Sequence, residues 1–305
     1  MAASGAEAQD DFPSKPITII VGFAAGGGTD ISARWIADYI RETWKVTAVV
    51  ENKPGAGATI AMAQAARAKP DGYTVGLATT SPLIVAPYFQ SVPYQTDKDF
   101  TFLFQYLVSA QPLFVRSESP FRTAEDLVAW AKANPGKLNW STASTNGGPH
   151  VSTEAAFRHL GIMAQYIPYK GGADAIMGLL GSQIDALVAA EFPPYAASGK
   201  VRLLAESGLE RIAGYADVPT YKQLGWPVSV PIFYGIVGPA GVPAPVVAKW
   251  EALGKAMMSA PGYADLMAKL VTSASYKDSK DFTATVVDAY RQMGELIPKL
   301  GLKPQ

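Results

Sequence analysis

The chain has no cysteine, and only two of its 305 residues are histidine. The missing cysteine excludes disulfides, thiolate catalysis and cysteine-ligated metals. The histidines, His150 and His159, lie nine residues apart, a spacing that fits no common metal motif. No serine is flanked by the glycines of a hydrolase nucleophile elbow. We therefore expect neither a metal nor a cofactor, and no enzyme activity.

The chain also has no net charge and no long apolar run. Lys plus Arg and Asp plus Glu number 26 each, so no global charge attracts a nucleic acid or an acidic membrane surface. No apolar stretch approaches the roughly 20 residues that span a bilayer. The sequence predicts a protein that is not embedded in a membrane and that recognises any anion locally.

Residues 1–12 do not look like part of a folded core. They contain Ala6-Glu7-Ala8, the small-x-small pattern of a signal-peptidase site, without the basic and apolar regions of a complete signal. We interpret them as the remnant of a removed or truncated export signal. An Ala-rich terminus unrelated to export is the alternative.

The first part of the chain alternates strand-like and helix-like segments. PITIIVGF, TAVVEN and YTVGLATT are typical of strands, whereas DISARWIADYIRETW and GATIAMAQAARAK are typical of helices. In the first helix, Ile36 and Ile40 lie one turn apart on an apolar stripe. This order predicts an α/β fold with a largely parallel sheet and with ligands at the carboxyl ends of its strands.

Two long apolar segments, 101–116 and 228–240, enclose a second alternation of the same kind. In it, Thr123 and Asp126 predict the start of a helix that Asn-Pro-Gly at 134–136 ends. We therefore predict two lobes, residues 13–108 plus 229–305 and an inserted lobe 109–228, joined by two crossover strands. The ligand cleft is expected between the lobes.

Four loops of small residues follow predicted strands: 22–30, 78–82, 141–150 and 169–175. Glycine lets a ligand approach the backbone, and the helix that follows offers unpaired N–H groups and the positive end of its dipole. The glycines fit neither the dinucleotide fingerprint nor the P-loop. Such loops suit a carboxylate. The alternative for the first loop is a tight turn in which Asp30 caps the helix.

A few residues outside this pattern have an open role. His150 stands at a predicted helix start, where it either donates a hydrogen bond to a ligand or caps the helix. Asp174 and Glu191 form a possible acid–base pair, although such residues more often cap helices or bind ligand amides and waters. Five aromatic residues fall near predicted loops or crossovers and are pocket-wall candidates, each alone being more typical of a core: Phe23, Phe192, Tyr195, Phe233 and Tyr234.

Six segments, taken in order, resemble the substrate-binding proteins of tripartite tricarboxylate transporters, the Bug or TctC-like family: VGFAAGGGTD, ENKPGAGATIA, PDGYTVGLATTS, KDFTFL, IPYKGGADAIMGLLGSQID and YGIVGPAGVPAPVVAKW. The resemblance covers residues 13 to 303. It implies a periplasmic, two-lobed binding protein of the type II fold, with two Rossmann-like lobes. Such a protein passes a small organic acid to a membrane permease and holds the carboxylate without metal or cofactor.

Carried onto this sequence, the resemblance implies the following ligand-binding residues: Phe23, Ala25, Gly27, Gly28, Thr29, Asp30, Thr80, Ser81, Ser144, Thr145, Asn146, His150, Lys170, Gly171 and Asp174. Our own interpretation of the residues adds Glu191 and Phe233. Gly22, Asp174 and the segment TASTNGGPH depart from the usual family pattern, which leaves the identity of the acid open.

We expect a monomeric solute-binding protein for a small carboxylate, with aromatic and dicarboxylic acids among the candidates. Two alternatives remain at this point. One is an enzyme that uses Asp174, Glu191 or His150 on a small acid in the same cleft. The other is a ligand sensor that presents its closed form to a membrane kinase.

Overall fold

The computed structural model describes residues 12–143, 145–169, 171–226 and 230–299. These residues form two compact units. The first consists of residues 12–108 and 233–292, and the second of residues 109–232 and 293–299, as far as each is described.

The first unit begins with strands and helices in alternation. In chain order they are β1 (Ile17–Val21), α1 (Gly28–Trp44), β2 (Ala48–Asn52), α2 (Thr59–Ala66), β3 (Thr74–Thr79), α3 (Ala86–Phe89) and β4 (Phe100–Val108). The predicted alternation of this region is thereby confirmed.

The second unit continues with β5 (Pro112–Arg116), α4 (Ala124–Ala133), β6 (Leu138–Thr142), α5 (Gly148–His159), β7 (Ala164–Tyr166), α6 (Gly172–Leu180), β8 (Ala186–Val188), α7 (Pro193–Ala197) and β9 (Val201–Glu206). The chain then returns to the first unit with β10 (Phe233–Pro239), α8 (Ala244–Met257), α9 (Tyr263–Leu270), β11 (Ser273–Lys277) and α10 (Ser279–Lys299). The last residues of α10, from 293 on, group with the second unit.

The sheet of the first unit is mixed: β1, β2 and β3, the strands from which a parallel sheet was predicted, are parallel, whereas the strands that follow them pair antiparallel. Its strand order is β11-β4-β10-β3-β1-β2. Strand β1 pairs in parallel with β2 and β3, whereas β10 runs antiparallel to both β3 and β4, and β11 runs antiparallel to β4. The antiparallel pairs follow from the order in which the chain passes through the sheet. Segment 101–116 divides into β4 and β5, and β10 comes back along β4 with Phe233 opposite Val108.

The sheet of the second unit has the order β7-β6-β8-β5-β9. Strand β6 is parallel to β7 and β8, and β5 is antiparallel to β8 and β9. Along β5, Leu113 and Val115 face one apolar cluster while Phe114 faces another. Both faces of this sheet are therefore buried under other elements, which explains the uninterrupted apolar residues of its central strands, residues 113–115 in β5 and Ala186–Val188 in β8.

Local signals in the sequence set several boundaries. The Thr123 hydroxyl accepts the Asp126 N–H at 3.2 Å, and the Asp126 carboxylate accepts the Thr123 N–H at 3.0 Å. This capping box starts α4 as predicted, and the helix ends at Ala133 before Asn-Pro-Gly. In α1, Ile36 and Ile40 are fully buried in the core of the first unit, which confirms the apolar stripe.

Candidate functional site

The loop after β1 carries the three consecutive glycines. Gly26 has φ of +85°, in the left-handed region, whereas Gly27 is extended (φ −76°, ψ 168°) and is the N-cap of α1. The prediction that Asp30 caps this helix is therefore wrong, because Asp30 lies inside its first turn. Among the residues that the structure describes, nothing accepts the N–H groups of Gly28 and Thr29. These two donors at the positive end of α1 suit an anion.

Asp30 is buried, and its carboxylate holds the loop after β1 by hydrogen bonds. Its carboxylate accepts the Gly26 N–H and the Arg34 Nε–H, both at 2.9 Å, and its other oxygen accepts the Asn52 amide at 2.9 Å. The Asn52 amide also donates to the Phe23 carbonyl at 3.1 Å. These hydrogen bonds, led by that from Arg34, lower the pKa of Asp30 to about 2. Asp30 is thus a positioning residue that holds the loop.

The loop after β3 lies next to the start of β10. The Thr80 hydroxyl is buried and accepts the Phe233 N–H at 3.3 Å. Residues Ser81–Val85 then form one wide helical turn with π-type hydrogen bonds. Phe233 is completely buried, with its ring 5.1 Å from that of Phe282, so it belongs to the interior of the first unit.

Tyr234, a pocket-wall candidate by sequence, is the next residue of β10. Its hydroxyl would lie 3.7 Å from a Cβ added at Gly28, so it is close to the start of α1. Burial raises the pKa of Tyr234, which keeps the hydroxyl protonated at neutral pH. It is a further hydrogen-bond donor near the free N–H groups.

The turn formed by residues 55–58 lies beside the candidate loops of the first unit, but the sequence analysis did not include it among the site residues. Gly55, Ala56, Gly57 and Ala58 all have positive φ, at 134°, 46°, 64° and 73°. A Cβ added at Gly22 would lie 2.3 Å from the Cβ of Ala58, and one at Gly57 would lie 3.9 Å from the Ser81 hydroxyl. This left-handed turn therefore touches both other loops. Its signal was the sequence PGAGA between a strand and a helix.

In the second unit, the loop before α5 is organised around a buried histidine. Asn146 has φ of +58°, and its N–H donates to His150 Nδ1 at 3.0 Å. Burial lowers the pKa of His150 to about 4. The ring is therefore neutral at neutral pH, and its Nδ1 accepts the Asn146 N–H. A donor role for its other nitrogen stays a prediction.

Tyr166 completes this loop and was missed by the sequence analysis. Its hydroxyl is 3.1 Å from both the Thr142 and the Thr145 hydroxyls, and its ring centroid lies 4.0 Å from that of His150. The only sequence signal was the strand AQYIPY, in which a tyrosine looks like an ordinary strand residue. Ser144 and Lys170, both predicted to bind the ligand, lie outside the described residues.

The start of α6 carries negative charge. Gly171 is its N-cap, and Asp174 lies exposed in the first turn. A Cβ added at Gly172 would lie 2.0 Å from Glu191 Oε1, so the Glu191 carboxylate lies directly against this turn. The structure thus brings the predicted pair, Asp174 and Glu191, to one helix end. Because two carboxylates already occupy its surroundings, this end is a poor place for a further anion.

A buried carboxylate lies elsewhere in the second unit. Glu206 is 1% exposed and accepts the Gln111 N–H on both oxygens, at 3.0 and 3.1 Å, and the Gly208 N–H at 2.7 Å. Burial raises the pKa of Glu206 to about 7, although the backbone donors act in the opposite direction. Sequence reasoning had no signal for this environment, since it depends on the fold of β9 and the segment before β5.

The raised pKa of Glu206 predicts a pH-dependent stability. A carboxyl that binds its proton more tightly in the folded state contributes most below its unfolded pKa of about 4.5, and the contribution is lost as pH rises through about 7. We expect this group to remove about 3 kcal/mol of unfolding free energy across that window. Urea unfolding of the wild type and Glu206→Gln between pH 5 and pH 7.5 measures the difference. Parallel pH profiles of the two proteins would contradict the prediction.

The described residues contain neither a membrane-spanning helix nor a metal-binding cluster. In residues 12–143, 145–169, 171–226 and 230–299, no helix combines the length and apolar character needed to cross a membrane. Over the same ranges, no three His, Asp or Glu side chains come together as a metal site.

Comparison with known proteins places the chain in a class of transport receptors. The sequence model described as tripartite tricarboxylate transporter family receptor (TctC) matches residues 32–302. A protein of Cupriavidus necator, named UPF0065 protein in gbd 5'region, is 33% identical over 306 residues, which are 99% of this chain and 93% of that one. The chain belongs to the TctC family.

Solved structures agree with this assignment. A TctC solute-binding protein from Polaromonas, without ligand, is 28% identical with a TM-score of 0.87, covering 95% of this chain and all of that one. MatC from Rhodopseudomonas palustris with bound malate is 25% identical with a TM-score of 0.72, covering 94% and 100%. The predicted family and α/β fold class are confirmed. Members of the family are periplasmic solute-binding proteins that work with the membrane subunits of tripartite transporters.

Proposed function

We propose that this chain is an exported receptor that binds a small organic carboxylate with the loops of its first unit and delivers it to a tripartite transporter. The observation that supports the ligand class is the start of α1, where the N–H groups of Gly28 and Thr29 are free and the Tyr234 hydroxyl lies nearby. Backbone and hydroxyl donors match the charge of a carboxylate. A doubly charged phosphate would be poorly neutralised here, since the nearby Arg34 is already paired with Asp30.

The charges of the second unit favour a ligand with few negative charges. His150 is neutral, and the start of α6 already faces Glu191 and Asp174. Its described loops therefore offer hydroxyls, amides and carboxylates to the ligand. We infer that these groups favour acids with hydroxyl or other hydrogen-bond donors, a class to which the malate bound by MatC belongs. That both sets of loops bind one ligand stays a prediction from the sequence.

A thermal-shift panel tests the proposal. It contains malate, succinate, adipate, citrate, benzoate and phthalate, each paired with its methyl ester, together with amino acids, sugars and phosphate esters. A ligand that binds only the folded state stabilises it by about 2.7 kcal/mol at 100 times Kd, which raises Tm by a few degrees. We expect at least one free acid to give this shift and its ester to give none.

Two outcomes would overturn the proposal. Stabilisation by a sugar or a phosphate ester without any free acid would exclude a carboxylate receptor. Conversion of a stabilising acid during prolonged incubation, detected by mass spectrometry, would favour the enzyme alternative over a binding protein.

A further inference from the structure

A large cavity lies on the first unit, along helix α2. Its volume is about 920 Å³, and we call it the α2 groove, defined by Lys15, Ile60, Gln64, Arg67, Lys69 and Tyr73. The groove is also lined by Thr18 and Thr74, at the amino ends of strands β1 and β3. The candidate ligand loops follow the opposite, carboxyl ends of these strands. The basic end of the α2 groove therefore lies away from these loops, whereas its apolar end borders the left-handed turn, since a Cβ added at Gly55 would lie 2.8 Å from Ile60 Cδ1.

The groove is locally basic in a chain without net charge. Three cations line it, Lys15, Arg67 and Lys69, against one acid, Asp71. Lys15 Nζ lies 3.1 Å from the Asp71 carboxylate and 4.2 Å from the centroid of the Tyr73 ring. In the part of the chain that the structure describes, the side chains of Arg67 and Lys69 have no ion pair. Two exposed positive charges thus remain for an acidic partner.

The other end of the groove is apolar. Ile60 is 51% exposed, and it shares one face of α2 with Ala63, Gln64 and Arg67 at helical spacing. Arg67 follows Ile60 by seven positions, which correspond to about 10 Å along the helix axis. Only an occupant about that long reaches both the isoleucine and the cations. An extended peptide covers it with three residues, at about 3.3 Å each.

We propose that the α2 groove docks an acidic peptide segment that carries an apolar side chain about three residues from its carboxylates. The proposal rests on the proposed function for the source of this segment, a periplasmic loop of the membrane transporter subunit. The apolar side chain covers Ile60, and the carboxylates pair with Arg67 and Lys69. The lining of the α2 groove does not include Gly28 or Thr29, so such a contact leaves their free N–H groups open to the solute.

The probe is a fluorescein-labelled peptide of sequence Gly-Leu-Ser-Ser-Glu-Glu-Gly, with Gln-for-Glu and Ser-for-Leu peptides as controls. Fluorescence anisotropy with the full chain is expected to show saturable binding that weakens between 50 and 300 mM salt, a range chosen because surface charges are screened across it. The double variant Arg67→Glu/Lys69→Glu should bind at least 10-fold more weakly, and Ile60→Ser several-fold more weakly. Both control peptides should lose affinity for the wild type.

A matched charge reversal controls for net charge. Lys132→Glu/Lys137→Glu changes two exposed lysines of the second unit and should leave probe affinity unchanged. Absence of saturable binding, or equal losses in the two double variants, would overturn the docking proposal. Arg67→Glu/Lys69→Glu should keep the wild-type response to the carboxylate panel. Probe binding without any carboxylate response would instead contradict the proposed function and leave the groove intact.

Discussion

Replacing Gly27 by Val is expected to weaken carboxylate binding by 100-fold or more, while the protein stays folded. Gly27 is extended, a conformation that valine adopts readily, and the nearest atom to an added Cβ is the Ala24 carbonyl oxygen at 3.4 Å. The fold therefore has room for the side chain. A branched side chain at the N-cap instead takes up the space in front of the Gly28 and Thr29 N–H groups.

Calorimetry with whichever acid the panel identifies measures this loss, and thermal unfolding checks the fold. Gly27→Ala is the graded control, because its single methyl should cost less affinity than the valine. An unchanged Kd for folded Gly27→Val would exclude a site at the start of α1. The left-handed residue of this loop is Gly26, so the Gly27 variants test the space in front of the N–H groups and not backbone strain.

Replacing Asp30 by Ala is expected to have the second large effect, on both stability and binding. The substitution leaves the Gly26 N–H, the Arg34 guanidinium and the Asn52 amide without their shared acceptor. Losing hydrogen bonds to a buried charge costs about 2 kcal/mol of unfolding free energy. Carboxylate affinity should fall as well, because the Gly26 N–H loses its acceptor and the Asn52 amide, which holds the Phe23 carbonyl, loses one of its two acceptors.

The control for Asp30 lies on the same helix. Asp38 pairs with Arg41 at 2.7 Å, but both side chains are about 60% exposed, so Asp38→Ala should cost less than about 0.5 kcal/mol. The Asp30 contribution is full above its unfolded pKa near 4 and is lost as pH falls through about 2. Chemical unfolding at pH 7 and at pH 3 checks both expectations. Equal destabilisation by the two variants at pH 7 would contradict a special role for Asp30.

Much of the local structure was predictable because its causes are local. The capping box of Thr123 and Asp126 lies within four residues, and the apolar stripe of α1 repeats at helical spacing. The strand directions were not predictable in the same way. Whether β10 pairs with β3 in parallel or antiparallel depends on residues more than 150 positions apart, and no periodicity within either strand records it.

The features of the candidate site also divide into local ones, which the sequence predicts, and tertiary ones, which it does not. Glycine-rich loops after strands pointed to the start of α1, where the structure has unpaired N–H groups. Three features depended on tertiary contacts instead: the neutral state of His150 follows from burial, the position of Glu191 follows from its packing on Gly172, and positive φ at Ala56 and Ala58 runs against the preference of alanine. No single stretch of sequence contains them.

The antiparallel strand β10 also affects how the chain is made. Thr80 and the Phe233 N–H that it accepts are 153 residues apart. At ribosomal rates of about 5–20 residues per second, roughly 8–30 s pass between them. During this interval β3 lacks a partner on one edge and β4 lacks one on both, because β10 and β11 are made later, while the strands of the second unit are being synthesised. These open edges are the part of the nascent chain that most needs protection from wrong pairing.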